Sequence, residues 1–125
     1  DDTGPLLREL AASDCRIRLV DRENKGLTVS LNEGVRLARA PIIARMDADD
    51  IALPSRFDKQ LAYLREHPDC VLLGTGVMLI DPYDTPIIEG ELHVEHDAID
   101  RELLKGRGGA LYHPAVMMRR DAVLK

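Results

Sequence analysis

The motif DADD carries the residues of this sequence that are best suited to chemistry. Asp47, Asp49 and Asp50 follow an apolar stretch at residues 42–44 almost directly. Carboxylates this close repel one another and are costly to move out of water, so either water solvates them or a cation neutralises them. Their hard oxygen atoms suit Mg²⁺ or Mn²⁺, which could then bind a diphosphate. The alternative is a solvated acidic turn that caps the next helix, and the spacing alone favours neither.

Two other uses of acidic motifs can be tested against the sequence. An EF-hand loop that began at Asp47 would need glycine at its sixth position and glutamate at its twelfth. Those positions hold Ala52 and Asp58, so an EF-hand is excluded. An aspartyl phosphatase also has Asp-x-Asp after a strand, but Ile51 stands where the haloacid-dehalogenase pattern has threonine or valine. A metal-dependent phosphatase therefore stays as the weaker alternative.

Composition narrows the class of protein. With 125 residues, of which 45% are hydrophobic and 31% charged, the chain can form one domain with its own core. A net charge of −5 and an aromatic content of 3% argue against a nucleic-acid binder. No apolar run reaches the roughly 20 residues of a membrane span, and the first residues do not predict a signal peptide. Cys15 and Cys70 match no metal-binding spacing and predict two buried thiols in a reducing cytosol, with a single disulfide as the alternative.

The spacing of apolar residues, prolines and glycines predicts alternating helices and strands. The expected helices cover about residues 4–13, 27–40, 54–68 and 96–106, with another starting near the C-terminus. The expected strands cover about residues 15–21, 41–47, 70–81, 87–92 and 115–118, the third being one strand or two. Gly74 and Gly76 within the third predict a bulge or a close approach of the backbone.

This alternation predicts an α/β class with a parallel sheet flanked by helices. Ligands of such sheets bind beyond the carboxyl ends of the strands. The acidic motif lies at that end of its expected strand, which favours a ligand site over a plain turn.

Several motifs occur in a characteristic order along the chain. An Asn-x-Gly turn at 24–26 precedes a helix with Asn32, and after DADD come P-x-R-F-x-x-Q at 54–60 and V-x-x-G-T at 71–75. Together they resemble the nucleotide-sugar-binding half of family 2 glycosyltransferases, and HPAVMMRRDAVL resembles a segment of bacterial members that build surface polysaccharides. The resemblance implies a Rossmann-like GT-A core, with a mostly parallel sheet flanked by helices, that is incomplete here.

The resemblance also implies a reaction. An inverting enzyme of this family would transfer a sugar from a nucleoside-diphosphate donor, UDP being the nucleotide we favour, to a hydroxyl of a glycan or lipid-linked acceptor. It implies that Asp49 and Asp47 bind Mg²⁺ or Mn²⁺, with Asp47 also beside the ribose. The implied location is the cytoplasm, at the inner face of the membrane in a longer protein. A binding or structural piece that never holds a metal is the main rival.

Other residues of the expected nucleotide-sugar site have competing structural explanations. Asn24 and Lys25 suit a turn as well as a nucleotide contact. Asn32 is unfavourable inside a helix, which favours a role in binding. Arg45 could pair with the aspartates, the interpretation we favour, or face solvent, and His113 could bind the acceptor or diphosphate. For Arg56 we expect a structural ion pair or a donor contact. Arg119 and Arg120 could contact phosphate, but exposure at a helix start is the default expectation for both.

Two elements of the family pattern have no counterpart in the sequence. Family members begin with base-binding strands, and they carry the catalytic base in a Glu-Asp segment that would come beyond Lys125. The resemblance therefore implies a single partial domain over 1–125, with a nucleotide-sugar and metal half at 1–69 and the start of an acceptor half at 70–125. We expect the chain to be inactive by itself and to self-associate through exposed sheet edges.

Overall fold

The computed structural model describes residues 2–124, so the predicted domain limits at residues 1 and 125 lie outside the described part. The helices are α1 (Thr3–Ser13), α2 (Leu27–Leu37), α3 (Arg56–Glu66), α4 (His96–Leu104) and α5 (Arg120–Val123). The strands are β1 (Ile42–Ala44), β2 (Leu72–Leu73), β3 (Met78–Ile80), β4 (Pro86–Glu89) and β5 (Met117–Arg119). Two short 3₁₀ turns cover Gly108–Ala110 and His113–Ala115.

The chain divides into two compact units, Asp1–Glu33 and Gly34–Lys125. In the first unit α1 is followed by a connecting segment, to which Arg8 is tied by an ion pair of 2.7 Å with Asp21. The strand expected at 15–21 is not formed. Alternating apolar and polar residues give a segment the two faces of a strand, but a strand also needs a neighbour to which its backbone can hydrogen-bond. No strand of the described chain pairs with this segment.

The second unit contains a three-stranded sheet in the order β1-β5-β2. β5 is antiparallel to both neighbours, with Met117 opposite Ala44 on one side and opposite Leu73 on the other. β1 and β2 therefore run in the same direction, but β5 separates them. The α/β class is as predicted, whereas the expected mostly parallel pairing needs correction, because every pairing among the described strands is antiparallel.

The core of the second unit lies around α3 and the start of β5. Leu64 of α3 is fully buried, Val116 and Met117 are buried, and the alanines of the two 3₁₀ turns, Ala110 and Ala115, join them. α3 begins and ends within two residues of the helix predicted at 54–68. These elements hold the carboxyl ends of β1 and β2 and the amino end of β5 at one edge of the sheet.

Arg119 and Arg120 are half-buried rather than exposed, which corrects the expectation for both. Nη2 of Arg119 donates to the carbonyl of Leu64 at 2.6 Å, near the end of α3. Nε of Arg120 donates to the carbonyl of Val35 at 3.2 Å, near the end of α2. The last carbonyls of a helix lack partners within it, and a cation stabilises that end. Successive side chains of an extended segment point to opposite sides, so adjacent arginines cap different helices.

β3 and β4 form a separate antiparallel hairpin, with Leu79 opposite Ile88. The loop between them is built on Asp81, whose Oδ1 accepts hydrogen bonds from the backbone N–H of Tyr83 at 2.8 Å and of Thr85 at 2.9 Å. This is the turn chemistry that the sequence DPYDTP predicts. All residues of β4 are exposed.

The cysteines and Gly74 complete the comparison with expectation. Both thiols are free, but Cys15 is exposed and Cys70 is half-buried, so the expectation of two buried thiols is wrong for Cys15 and only partly met by Cys70. A Cβ at Gly74 would lie 2.7 Å from Cδ1 of Leu111, so the predicted close approach is present there. None of the helices in residues 2–124 is long and apolar enough to cross a membrane.

Candidate functional site

The DADD motif leaves the sheet at the carboxyl end of β1, as predicted. The backbone N–H of Arg45 donates to the carbonyl of Val116 at 2.9 Å, which extends the ladder by one residue. The chain then turns, and the N–H of Asp50 donates to the carbonyl of Asp47 at 3.3 Å. Asp47 is half-buried in this acidic turn, while Asp49 and Asp50 are exposed.

The antiparallel register brings His113 to the same edge of the sheet. Because Ala44 lies opposite Met117, the residues that follow β1 lie beside the residues that precede β5. These include the 3₁₀ turn of His113–Ala115, where the N–H of Ala115 donates to the carbonyl of Tyr112 at 2.9 Å. The structure thus places the acidic turn and an exposed histidine at one edge.

Arg45 pairs with the acidic motif, which confirms the interpretation favoured from sequence. Its Nη2 donates to Oδ1 of Asp47 at 2.7 Å. The side chain of Arg45 is 10% exposed and that of Asp47 is 36% exposed, so the pair lies at the boundary of the core. Within the described residues, Nε and Nη1 of Arg45 are buried without a hydrogen-bond partner. The bond occupies Oδ1 of Asp47.

The acidic turn fits a hard cation as a partial ligand set. In residues 2–124, no three His, Cys, Asp or Glu side chains converge closely enough to hold a metal ion by themselves. Mg²⁺ is usually held by one or two carboxylates together with substrate phosphates and water. Asp49 and the second oxygen of Asp47 have the right donor chemistry for that arrangement, and a bound diphosphate would supply the remaining oxygens.

Arg56 and Gln60 contact this edge in a way that sequence reasoning missed. Nη2 of Arg56 donates to the carbonyls of Arg45 at 2.7 Å and Pro114 at 3.2 Å, and its Nε donates to Oε1 of Gln60 at 3.1 Å. The expected ion pair or donor contact of Arg56 is therefore corrected to a set of hydrogen bonds with protein groups. A signal existed, since Gln60 is four residues before the buried Leu64 and so on the core face of α3.

The other expected site residues belong to the first unit. Oδ1 of Asn24 accepts a hydrogen bond from the N–H of Gly26 at 2.8 Å, and Gly26 has a φ of +83°, so this asparagine forms the turn. Lys25 and Asn32 are exposed. The two units are described separately, and the roles of these three residues in binding stay predictions.

A depression of about 440 Å³ lies beside the start of β1 and the end of β5, at the edge opposite the acidic turn. It is lined by arginines, one acidic residue and two small residues: Arg39, Ala40, Pro41, Arg119, Arg120 and Asp121. Two of these arginines already donate to helix-end carbonyls, so the edge with the acidic turn is the better candidate site.

The acidic turn lies beyond the carboxyl end of a strand in an α/β domain, which is where domains of this class bind their ligands. Residues 1–124 match the family model "Glycosyl transferase family 2". The chain belongs to glycosyltransferase family 2, and its helices and small sheets are consistent with part of a GT-A core.

Two relatives illustrate the similarity. The chain is 32% identical over 119 residues, 95% of its length, to the "O-antigen biosynthesis glycosyltransferase WbnJ" of Escherichia coli. It is 44% identical over 61 residues, 49% of its length, to the "Amylovoran biosynthesis glycosyltransferase AmsE" of Erwinia amylovora. These matches cover 45% and 23% of the two relatives, so the chain spans less than half the length of either.

Proposed function

We propose that this chain forms the donor- and metal-binding part of an inverting glycosyltransferase. The enzyme would transfer a sugar from a nucleoside diphosphate to an acceptor hydroxyl. The observation that carries the proposal is the register of β1 and β5, which puts the acidic turn and His113 at one edge of the sheet. Family membership supports the reaction class.

Asp49 and Asp47 would hold Mg²⁺ or Mn²⁺ in this function. A bound cation neutralises the acidic turn and the negative charge that develops on a departing diphosphate. Arg45 orients Asp47 through the hydrogen bond between Nη2 and Oδ1, which leaves Oδ2 for the ligand. The exposed side chain of Asp49 then completes the protein's contribution.

The donor and acceptor contacts extend this assignment. His113 is exposed beside the acidic turn and would donate a hydrogen bond to the diphosphate or to the acceptor. Asn24, Lys25 and Asn32 would contact the nucleotide, which we take to be UDP. We assign the general base that deprotonates the acceptor to no residue of this chain, and we therefore expect no turnover by the 125 residues alone.

The acceptor is a glycan or a lipid-linked glycan in this proposal. The names of the two relatives, which refer to O-antigen and amylovoran biosynthesis, support a place in surface-polysaccharide assembly. Such a reaction would take place in the cytoplasm, at the inner face of the membrane. We also propose that the chain associates with itself through the outer edges of its sheets.

Calorimetric titration tests the metal assignment directly. We expect the wild-type chain to bind Mn²⁺ more tightly when UDP is present, because the diphosphate completes the coordination of the cation. Asp49→Ala should weaken this binding at least about tenfold, since a ligand is lost. Asp58→Asn, which removes an equal charge from an exposed position outside the turn, is the matched control.

Equal binding by wild type and Asp49→Ala would exclude the metal site and favour a binding or structural piece. Hydrolysis of a phosphomonoester by the wild-type chain, lost in Asp49→Ala, would instead favour the phosphatase. Normal rates of sugar transfer by the 125-residue chain would show that its base lies within it.

A further inference from the structure

Gln60 is a buried polar residue in a core that is otherwise apolar. Its side chain is 2% exposed, so its amide would be costly to bury unless its hydrogen bonds were satisfied. Nε2 donates to the carbonyl of Leu73 at 3.1 Å and to that of Ala115 at 3.0 Å, and Oε1 accepts from Arg56 at 3.1 Å. One amide therefore connects the end of β2, the turn before β5 and the first turn of α3.

Arg56 extends these connections to the acidic turn. A single nitrogen, Nη2, donates both to the carbonyl of Arg45 and to that of Pro114. The two segments therefore lie within two hydrogen-bond lengths of each other. Arg45 comes two residues before Asp47, and Pro114 directly follows His113. We call Arg56, Gln60 and the four carbonyls that they contact the Arg56–Gln60 clamp.

All four carbonyls of the clamp lie at one edge of the sheet. β1 and β2 both end there, and β5 begins there, because β5 is antiparallel to its two neighbours. Strand ends leave backbone groups without ladder partners, which must be satisfied in another way when they are buried. Apolar side chains could fill the space but could not fix the positions of these carbonyls.

We propose that Arg56 and Gln60 are positioning residues that hold the acidic turn and the His113 segment at a fixed separation for ligand binding. They act through backbone carbonyls and do not touch the ligand. The proposal rests on the proposed function in one respect, namely that the ligand is a cation with a nucleoside diphosphate. Its structural part, the coupling of the two segments, holds independently of that ligand.

Arg119, on β5, provides a matched control. Like Arg56 it donates to three oxygen atoms, here the carbonyls of Leu64, His67 and Cys70, but these lie at the end of α3 and before β2. Replacing either arginine by methionine removes one charge and a similar number of hydrogen bonds. Only Arg56 contacts the edge that carries the acidic turn.

Amide hydrogen exchange tests the coupling without any ligand. In Arg56→Met we expect faster exchange in both residues 45–50 and residues 112–116, because the carbonyls of Arg45 and Pro114 are released together. Gln60→Met should have the same effect, because it releases the carbonyl of Ala115 directly and removes the Oε1 that holds Nε of Arg56. In Arg119→Met the faster exchange should instead fall in residues 64–71. Wild-type exchange of either site segment in both clamp variants would overturn the proposal. Should Arg56→Met fail to fold, Arg56→Lys, which reaches fewer carbonyls, takes its place.

Titration with Mn²⁺ and UDP then tests the consequence for binding. We expect Arg56→Met and Gln60→Met to bind about tenfold more weakly than wild type, and Arg56→Lys to recover part of the loss. Arg119→Met should lower the melting temperature comparably and leave the affinity unchanged. An equal loss of affinity in all variants, Arg119→Met included, would show that the clamp only stabilises the fold, and would overturn the proposal. Absence of Mn²⁺ binding by wild type would instead remove the proposed function, and hydrogen exchange alone would decide about the clamp.

Discussion

Arg45 and Asp47 form an ion pair in which the two partners are unequally exposed. The side chain of Arg45 is 10% exposed, with Nε and Nη1 buried and unpartnered in the described chain, whereas that of Asp47 is 36% exposed. A buried cation without its anion is costly, while the removal of both charge and unpartnered N–H groups relieves a cost. The two residues therefore differ in what their replacement does to stability, although they share one hydrogen bond.

We expect Arg45→Met to change the free energy of unfolding by no more than about 1 kcal/mol, since the lost pair is offset by the removal of unpartnered groups. Asp47→Ala should cost about 1–3 kcal/mol, because the arginine then stays buried without a partner. Urea titration measures both. The exposed pair of Arg8 and Asp21 is the control, where either replacement should cost less than about 1 kcal/mol. A larger cost for Arg45→Met than for Asp47→Ala would contradict this account.

At the scale of elements, the hairpin loop between β3 and β4 depends on the charge of Asp81. The backbone N–H of Thr85, and after it that of Tyr83, lower the pKa of this carboxyl below its usual value of 3.8. A group with a lowered pKa in the folded state stabilises that state above its ordinary pKa, and the contribution disappears as the pH falls through the lowered value. The loop should therefore loosen only in acid, below pH 3.8.

Backbone NMR can follow this transition. We expect the amide proton shifts of Tyr83 and Thr85 to move together as the pH falls below 3.8, as their hydrogen bonds to Asp81 weaken. Asp81→Asn should remove the transition. Asp84→Asn, in the same loop at a φ of +63° that asparagine tolerates, should keep it. A transition that persisted in Asp81→Asn would assign it to another group.

An element could be predicted from the sequence when the residues that determine it lie within the element or directly beside it. The helices at 54–68 and 96–106 were predicted to within two residues of α3 and α4, because proline positions and apolar spacing act locally. The pairing direction of β1 is set by β5, far along the chain, and no local pattern contains it. The acidic turn was predicted for the same local reasons as the helices. The clamp was not, because its partners are backbone carbonyls that sequence does not mark.

At the scale of the whole molecule, the chain exposes strand edges and apolar side chains together. Within residues 2–124, β1 and β2 are the outer strands of their sheet, and β4 pairs on one side only. Ile87 and Ile88 of β4 are 66% and 59% exposed. An unpaired apolar edge is a template for another strand, so these edges are the surfaces through which we expect self-association.

Light scattering can test this expectation. The mass of the wild-type chain should rise with concentration in the micromolar range, because exposed edges pair between copies. Ile88→Lys should shift the chain toward the monomer, since charge on an edge strand opposes pairing. Leu104→Lys, at the end of α4 where the side chain is 80% exposed, should not. A monomeric wild type, or equal effects of the two variants, would contradict edge pairing.

The central position of β5 has a consequence for the order of folding. Of the five strands in residues 2–124, the one made last during synthesis is the one to which both β1 and β2 must bond. The acidic turn leaves the ribosome long before its neighbour at His113 exists, and contacts between such distant segments form slowly. A cation would therefore meet a finished site and would not nucleate the fold around itself. Metal should change the rate of unfolding more than the rate of folding.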